Sequence, residues 1–227
     1  MTPQPDWRAH HAIAAVIFDC DGTLVDSEPI GLAAIAEEAR TVDADVPLDD
    51  MLHALKGQSM AHCLHAIAQR LGRALPADFE QRVRERMARA FRERLQPIPG
   101  AMPLLQQLHI PYCVASNGPR QKMELTLAVT GLLPLLEGRL FSAYEVGSFK
   151  PDPGLFLHAA RTLGVEPERC AVVEDSLAGI EAGIAAGMTV YALPAAAPLP
   201  PALAARVHMI EHLELLSQAA WNTPRMR

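Results

Sequence analysis

The fold is decided by one stretch near the start of the chain, Ile13-Ala14-Ala15-Val16-Ile17-Phe18-Asp19-Cys20-Asp21-Gly22-Thr23. Its first six residues are apolar and rich in β-branched side chains, which is typical of a strand buried on both faces of a parallel sheet. The strand is expected to stop at Asp19, and Gly22 allows turn angles that other residues rarely adopt. The stretch therefore predicts a buried strand that carries two carboxylates, Asp19 and Asp21, at its carboxyl end.

Helical and strand patterns alternate in the second half of the chain. The predicted strands cover residues 112–115, 140–142, 170–173 and 189–193, and the predicted helices cover residues 101–108, 120–130, 153–163 and 177–186. Such alternation is typical of a parallel sheet with helices on both faces. We therefore predict an α/β fold with a Rossmann-like parallel sheet flanked by helices.

Residues 28–96 have a different character, because apolar residues recur there at helical spacing, as in Val83, Met87 and Phe91. No strand pattern interrupts them, so we expect an insert of about four helices. The two limits of the insert are expected to lie close together, as a domain inserted into a loop requires. We predict an α/β core of residues 1–27 and 97–227 and an all-helical domain of residues 28–96.

The composition excludes several classes of protein. The 227 residues carry 20 Lys and Arg against 26 Asp and Glu, a net charge of −6, which argues against a nucleic-acid-binding protein. An uncharged stretch, residues 188–205, contains four prolines and is interpreted as a strand and a loop, so no membrane association is expected. The four cysteines form no CxxC pair, and no signal peptide is recognised, so we expect a cytoplasmic protein. We also expect a monomer.

Polar residues follow four of the predicted strands, at the edge where open α/β sheets bind their ligands. They are Asp19 and Asp21, Ser116 and Asn117, Lys150, and Glu174 and Asp175. Two unit charges about 4 Å apart repel by roughly 4 kcal/mol at an effective dielectric constant near 20, so these carboxylates need a cation between them. Oxygen ligands without His or Cys favour Mg²⁺, which commonly accompanies phosphate-bearing substrates.

Four segments, taken in order, resemble the motifs of the haloacid dehalogenase superfamily. They are Asp19-Cys20-Asp21-Gly22-Thr23-Leu24-Val25-Asp26-Ser27-Glu28, Ser116-Asn117, Lys150-Pro151 and Glu174-Asp175-Ser176. The helical insert after the first motif resembles the cap domain of subfamily I. The resemblance covers essentially the whole chain and implies a Mg²⁺-dependent phosphatase of small phosphorylated metabolites.

The resemblance also implies a role for each motif residue. Asp19 would be the nucleophile that forms an aspartyl-phosphate, and Asp21 would act as general acid and then as general base. Ser116, Asn117 and Lys150 would bind the phosphoryl group. The Mg²⁺ ligands would be the Asp19 carboxylate, the Asp21 carbonyl, Asp175 and, directly or through water, Glu174.

A closer resemblance is to the 6-phosphogluconate phosphatase branch, carried by Cys113-Val114-Ala115-Ser116-Asn117-Gly118-Pro119, Lys122-Met123 and the segment 140–153. It implies a sugar or sugar-acid phosphate as substrate. In the helical insert, Lys56 is a candidate residue for substrate specificity.

Two other functions stay open. β-Phosphoglucomutases share Lys56-Gly57-Gln58-Ser59, but they usually carry an arginine where this chain has Met60 and a histidine where it has Gly31. A non-catalytic binding protein with the same fold would usually have lost Asp19, Asp21 or Lys150, and this chain retains all three.

Three other polar groups are given structural interpretations. Asp152 is interpreted as a helix cap before Pro153. The group of His62, Cys63 and His65 lacks a second ligand pair and is not assigned a metal. The arginines of residues 82–94 are interpreted as a solvated helix face, with ion pairs Glu80–Arg84 and Glu85–Arg89.

Overall fold

The structure is a computed structural model that describes residues 13–42, 59–194 and 198–217. It divides into two compact units, one formed by Met1–Val25 with Pro97–Arg227 and the other by Asp26–Gln96. The first is called the sheet unit here and the second the helical unit. The domain limits predicted from the sequence, with the helical insert at residues 28–96, stay a prediction.

The helices and strands are given in chain order. They are β1 Ala15–Phe18, α1 Glu28–Arg40, α2 Met60–Leu71, α3 Phe79–Arg94, α4 Ala101–Gln107, β2 Tyr112–Ser116, α5 Arg120–Val129, β3 Leu140–Ser142, α6 Ala143–Val146, α7 Gly154–Leu163, β4 Cys170–Glu174, α8 Leu177–Ala185, β5 Thr189–Ala192, α9 Pro201–Ala204, β6 His208–Met209 and α10 Glu214–Ser217. Short 3₁₀ helices cover Leu133–Leu135 and Pro167–Arg169.

The sheet has six parallel strands in the order β3-β2-β1-β4-β5-β6. The predicted α/β class with a parallel sheet is confirmed, and the five predicted strands correspond to β1 to β5. Strand β6 has only two residues and was not predicted. Because β1 lies between β2 and β4, the residues that follow these three strands emerge side by side at one edge.

The sheet is covered on both faces, as the apolar strands predicted. Ile17 and Val172 lie in one buried cluster with Phe156 of α7 and Ile180 of α8. The ring of Phe18 meets that of Tyr112 edge to face. All residues of β1, β2 and β4 are buried, so the strands form a rigid support for the loops at their ends.

The described residues of the helical unit contain the three helices α1, α2 and α3. Helices α1 and α3 pack against each other, and Ile35, Ile67 and Val83 belong to one buried cluster. The prediction of about four helices also covers residues 43–58, which lie outside the described part of the chain. In the described residues, no helix is long and apolar enough to cross a membrane.

The arginines of α3 were predicted to form a solvated helix face, but two of them contact a buried carboxylate. Glu38 of α1 is buried and accepts hydrogen bonds from Arg82 Nε at 2.8 Å and from Arg86 Nε at 3.0 Å. The expected pair Arg84–Glu80 is present, whereas Glu85 accepts a hydrogen bond from Gln81. A charged network therefore joins α1 to α3, and Glu38, which lies in the apolar pattern of α1, gave no sign of it.

We predict that Glu38→Gln destabilises the helical unit by about 2 kcal/mol, because hydrogen bonds to charged groups each contribute about 1.5–3 kcal/mol. The substitution keeps the size of the side chain and removes the charge that faces the two guanidinium groups. Amide hydrogen exchange in residues 28–40 and 79–94 measures the effect. The control is Glu37→Gln, because Glu37 is half-exposed and pairs with Arg86 at 3.2 Å; we expect a change below about 0.5 kcal/mol there.

The effect of Glu38→Gln depends on pH. Burial raises the pKa of Glu38, but the hydrogen bonds from Arg86, Arg82 and Thr41 together lower it more, so the folded-state pKa lies below its ordinary value. The stabilisation is therefore complete above the unfolded-state pKa and is lost as the pH falls through the folded-state pKa. An equal difference between variant and wild type at neutral and strongly acidic pH contradicts this account.

Candidate active site

Strands β1 and β4 bring two carboxylates together at the edge of the sheet. Phe18 is paired with Val173, and the Asp19 N–H donates to the Val173 carbonyl at 2.9 Å. Asp19 follows β1 directly, and Glu174 is the last residue of β4. Both are buried, so their charges must be compensated within the site.

Lys150 provides that compensation. Its Nζ lies 2.5 Å from Asp19 Oδ1 and 2.7 Å from Glu174 Oε1, and its side chain is 2% exposed. The ammonium group also lies 4.8 Å from the centre of the Phe156 ring, a distance suited to a cation–π contact. One buried cation is therefore shared by two buried carboxylates.

The second oxygen of Glu174 is held by the start of α8. Glu174 Oε2 accepts hydrogen bonds from the Asp175 N–H at 2.9 Å, the Ser176 N–H at 2.8 Å and the Ser176 hydroxyl at 2.9 Å. A Cβ atom on Gly179 would lie 1.7 Å from Glu174 Oε1. Glu174 therefore keeps this place only because residue 179 has no side chain.

Asp175 completes a group that can hold a metal ion. One carboxylate oxygen each from Asp19, Glu174 and Asp175 lies within 4.8 Å of the others. Thr23 donates to Asp175 Oδ1 at 3.0 Å, and a Cβ on Gly22 would lie 2.1 Å from Asp175 Oδ2. Gly22 also has a φ of 83°, so both the turn and the approach of Asp175 favour glycine.

The Asp21 carboxylate lies outside this three-residue group. Its Oδ2 is paired with Lys122 Nζ at 2.8 Å, a contact that the sequence analysis missed. The signal was the position of Lys122, in the first turn of the helix that follows the neighbouring strand β2.

Ser116 and Asn117 follow β2 on the other side of β1. Ser116 is buried, and its Oγ accepts the Gly118 N–H at 3.0 Å, so the hydroxyl proton can be donated elsewhere. The Asn117 amide contacts the Lys150 backbone twice, donating to its carbonyl at 3.2 Å and accepting its N–H at 2.9 Å. The Asn117 side chain therefore positions Lys150, and its predicted role in phosphate binding stays a prediction.

The electrostatics of the site reflect its burial. Burial raises the pKa of Asp19 well above its ordinary range, even though Lys150 lowers it, because Glu174, Asp175 and Asp21 add to the effect of burial. Burial lowers the pKa of Lys150, but the effect of Asp19 and Glu174 is larger and raises the pKa above its ordinary value, so the lysine stays protonated. The three carboxylates of Asp19, Glu174 and Asp175 have only one buried ammonium, that of Lys150, beside them. Their possible metal ligands are all oxygen atoms, so the group fits a hard divalent cation.

Two further sequence predictions concern Lys56 and Asp152. Lys56 lies outside the described residues. Asp152 is exposed, and its Oδ1 accepts the N–H of Gly154, the first residue of α7, and the Ser148 hydroxyl, as expected of a helix cap rather than a catalytic group.

Comparison with known proteins establishes the family. A family model described as haloacid dehalogenase-like hydrolase matches residues 13–187. The chain belongs to this family of hydrolases. It is 35% identical over 207 residues to the 6-phosphogluconate phosphatase of Escherichia coli (strain K12), covering 91% of this chain and 94% of that protein. It is 32% identical over 188 residues to hexitol phosphatase A of the same strain, covering 81% and 84%.

A solved structure gives the same result. The crystal structure of a HAD family hydrolase from Deinococcus radiodurans R1, with bound phosphate and sodium, has a TM-score of 0.74 and 33% sequence identity to this chain. The match covers 94% of this chain and 99% of that one. The predicted enzyme class, a haloacid dehalogenase-type phosphatase and thus a phosphoric monoester hydrolase, is confirmed.

We predict that Gly179→Ala destabilises the sheet unit by about 2 kcal/mol, because overpacking a filled core typically costs 1–3 kcal/mol. The added methyl group would displace Glu174 from Lys150 and Ser176. The control is Gly31→Ala in α1, where a Cβ meets only the terminal methyl of Met87, at 3.1 Å. There the higher helix propensity of alanine, worth up to about 1 kcal/mol, is expected to make the substitution neutral or stabilising.

Chemical denaturation followed by circular dichroism measures both changes. Equal effects of the two substitutions would contradict the account of Glu174, because both glycines lie in helices and only one faces a carboxylate.

Proposed function

We propose that the protein is a Mg²⁺-dependent phosphatase of sugar or sugar-acid phosphates that works through an aspartyl-phosphate. One observation carries the proposal: Lys150 Nζ lies between Asp19 and Glu174, and Asp175 lies in the same group. Phosphoryl transfer relies mainly on positioning and on neutralisation of charge, and such a group serves both needs.

The charge balance of the group supports a metal ion. Three carboxylates face one buried ammonium, and a hard divalent cation would remove the remaining repulsion. Asp19, Asp175 and the Asp21 carbonyl would hold Mg²⁺, and Glu174 would assist directly or through water. When bound, Mg²⁺ would neutralise phosphoryl charge and orient the phosphoryl group.

The contacts of the carboxylates favour Asp19 as the nucleophile. Glu174 is fully buried, and its two oxygens are engaged by Lys150 and by Ser176 with its neighbouring backbone. The Asp19 side chain retains 11% of its exposure and contacts Lys150, the cation that would accompany a phosphoryl group. A phosphoryl group bound by Lys150 would therefore lie beside Asp19.

The remaining motif residues would bind the phosphoryl oxygens and move the protons. Ser116 can donate its hydroxyl proton to a phosphoryl oxygen, and Lys150 would neutralise the charge. As an Asp19 oxygen bonds to phosphorus, the phosphorus–ester oxygen bond breaks, and Asp21 gives its proton to the leaving oxygen. Asp21 then takes a proton from the water that attacks the aspartyl-phosphate, which releases inorganic phosphate and restores both aspartates.

The relatives narrow the proposed substrate class. The names of the two relatives assign them 6-phosphogluconate and hexitol phosphates. We therefore propose a sugar or sugar-acid phosphate here, with 6-phosphogluconate as the first candidate. Four points stay predictions: that residues 28–96 act as a helical cap, that Lys56 contributes to specificity, that the protein is a monomer and that it is cytoplasmic.

The alternatives are weaker on the residues of this chain. A phosphomutase like the β-phosphoglucomutases would be expected to carry an arginine in place of Met60 and a histidine in place of Gly31. A binding protein without activity would have no need for a buried lysine held against two carboxylates. Hydrolysis with water as acceptor therefore agrees best with the site.

We predict that Asp19→Asn lowers kcat by at least about 10³-fold, because loss of a nucleophile removes the covalent route. Added Mg²⁺ should support the activity of the wild type, and EDTA should abolish it. Release of inorganic phosphate from p-nitrophenyl phosphate measures both effects. The control is Glu168→Gln, an exposed carboxylate in the 3₁₀ helix before β4, at the opposite edge of the sheet, which should retain wild-type activity. Normal turnover by Asp19→Asn would refute the assignment of the nucleophile.

We predict that a panel of phosphorylated metabolites releases inorganic phosphate most efficiently from sugar or sugar-acid phosphates. Values of kcat/KM across the panel rank the substrates, and 6-phosphogluconate tests the first candidate directly. If hexose phosphates are converted into isomers without release of phosphate, the protein is a phosphomutase. If neither reaction occurs with Mg²⁺, the non-catalytic alternative is correct.

A further inference from the structure

A second lysine lies at the site and has no role in the mechanism above. Lys122 Nζ lies 2.8 Å from Asp21 Oδ2, and the side chains are 26% and 21% exposed, respectively. Only three of the twenty basic residues are lysines, Lys56, Lys122 and Lys150. Two of these three, Lys150 and Lys122, contact Asp19 and Asp21, each in a separate ion pair.

Lys122 is held in place by its own helix and by a tight turn. Its N–H donates to the Pro119 carbonyl at 3.0 Å, and its carbonyl accepts the Thr126 hydroxyl at 3.0 Å. A Cβ on Gly118 would lie 3.6 Å from Asp21 Oδ2 and 3.8 Å from Lys122 Cδ. The ion pair therefore lies closely against the backbone of residue 118, which restricts the directions that Asp21 can take.

The same glycine borders the group proposed to bind phosphate. The Cβ position of Gly118 is 3.3 Å from Ser116 Oγ and 3.6 Å from Asp21 Oδ2, so the Ser116 hydroxyl and the Asp21 carboxylate both lie near one point. A carboxylate fixed there lies close to any phosphoryl group that Ser116 binds. This is where a proton donor to the leaving oxygen is needed.

We propose that Lys122 is the positioning residue for Asp21, which holds that carboxylate toward the ester oxygen during phosphoryl transfer. The proposal rests on the proposed phosphatase function. In the step concerned, an Asp19 oxygen bonds to phosphorus, the phosphorus–ester oxygen bond breaks, and the leaving oxygen takes the proton of Asp21. Lys122 transfers no proton itself; its ammonium group stays on Oδ2 and fixes the orientation of the carboxyl group.

The identity of the leaving group separates this role from a structural one. An alkoxide, the leaving group of a sugar phosphate, is a poor leaving group and needs the proton of a positioned acid. The p-nitrophenolate ion is stable and leaves without one. Since kcat/KM includes only the steps up to the release of the alcohol or phenol, it reports this transfer and not the later hydrolysis of the aspartyl-phosphate.

The test is the variant Lys122→Met, which keeps most of the length of the side chain and removes its charge. We expect kcat/KM to fall at least about 30-fold for 6-phosphogluconate, or for the alkyl phosphate that the wild type hydrolyses best, since general acid catalysis contributes about 10²–10⁴-fold. For p-nitrophenyl phosphate we expect a change of less than about threefold by the same reasoning. Retained aryl phosphatase activity also shows that the variant is folded.

Two further variants serve as controls. Gln121→Met places the same side chain at the exposed neighbouring position and should leave both substrates unaffected. Lys122→Arg restores the positive charge and should recover part of the alkyl phosphatase activity. Equal losses for the two substrates in Lys122→Met, or no loss for either, would overturn the proposal. If the wild type hydrolyses neither substrate with Mg²⁺, the proposed phosphatase function itself fails, which is a distinct result.

Discussion

The site depends on one buried ammonium group shared by two buried carboxylates. Removing charges from water costs several kcal/mol for each ion, and the attraction repays this only where the geometry is good and the other polar atoms are satisfied. Lys150 meets both conditions, because it lies at hydrogen-bonding distance from Asp19 and Glu174, and the far oxygen of Glu174 has three donors of its own. The loop between α6 and α7 is thereby tied to the ends of β1 and β4.

That arrangement requires close approaches that only small residues allow. Gly22 makes room for Asp175, and Gly179 makes room for Glu174. In both cases a single methyl group would overlap a carboxylate oxygen. The glycine after Asp21 is therefore explained by packing against Asp175 as much as by its backbone angles. The acidic group keeps its geometry because residues 22 and 179 carry no side chain. In addition, the Asn117 side chain fixes the backbone of Lys150 through two hydrogen bonds.

The sequence predicted the parts of this arrangement that follow from strand patterns. The apolar runs located β1 to β5, and the rule that ligands bind at the carboxyl ends of parallel strands selected Asp19, Ser116, Lys150 and Glu174. The sequence did not predict which partner each side chain would find. Strand β6, with two residues, is too short to show a periodicity. Glu38 lies in an apolar helix pattern, and only the packing of α1 on α3 reveals its two arginines, Arg82 and Arg86.

The two lysine–aspartate pairs of the first motif differ in exposure, and the difference matches what each aspartate is proposed to do. In the pair of Asp19 and Lys150 the side chains are 11% and 2% exposed, which suits a nucleophile that bonds to phosphorus and must be shielded from competing water. In the pair of Asp21 and Lys122 they are 21% and 26% exposed, which suits a group that exchanges protons with a leaving oxygen and with water. The aspartates lie two residues apart in one turn, and their environments differ because their lysines come from different elements, Lys150 from the loop between α6 and α7 and Lys122 from α5. The proposed division of roles between nucleophile and acid would thus follow from these partners, since the two side chains are chemically identical.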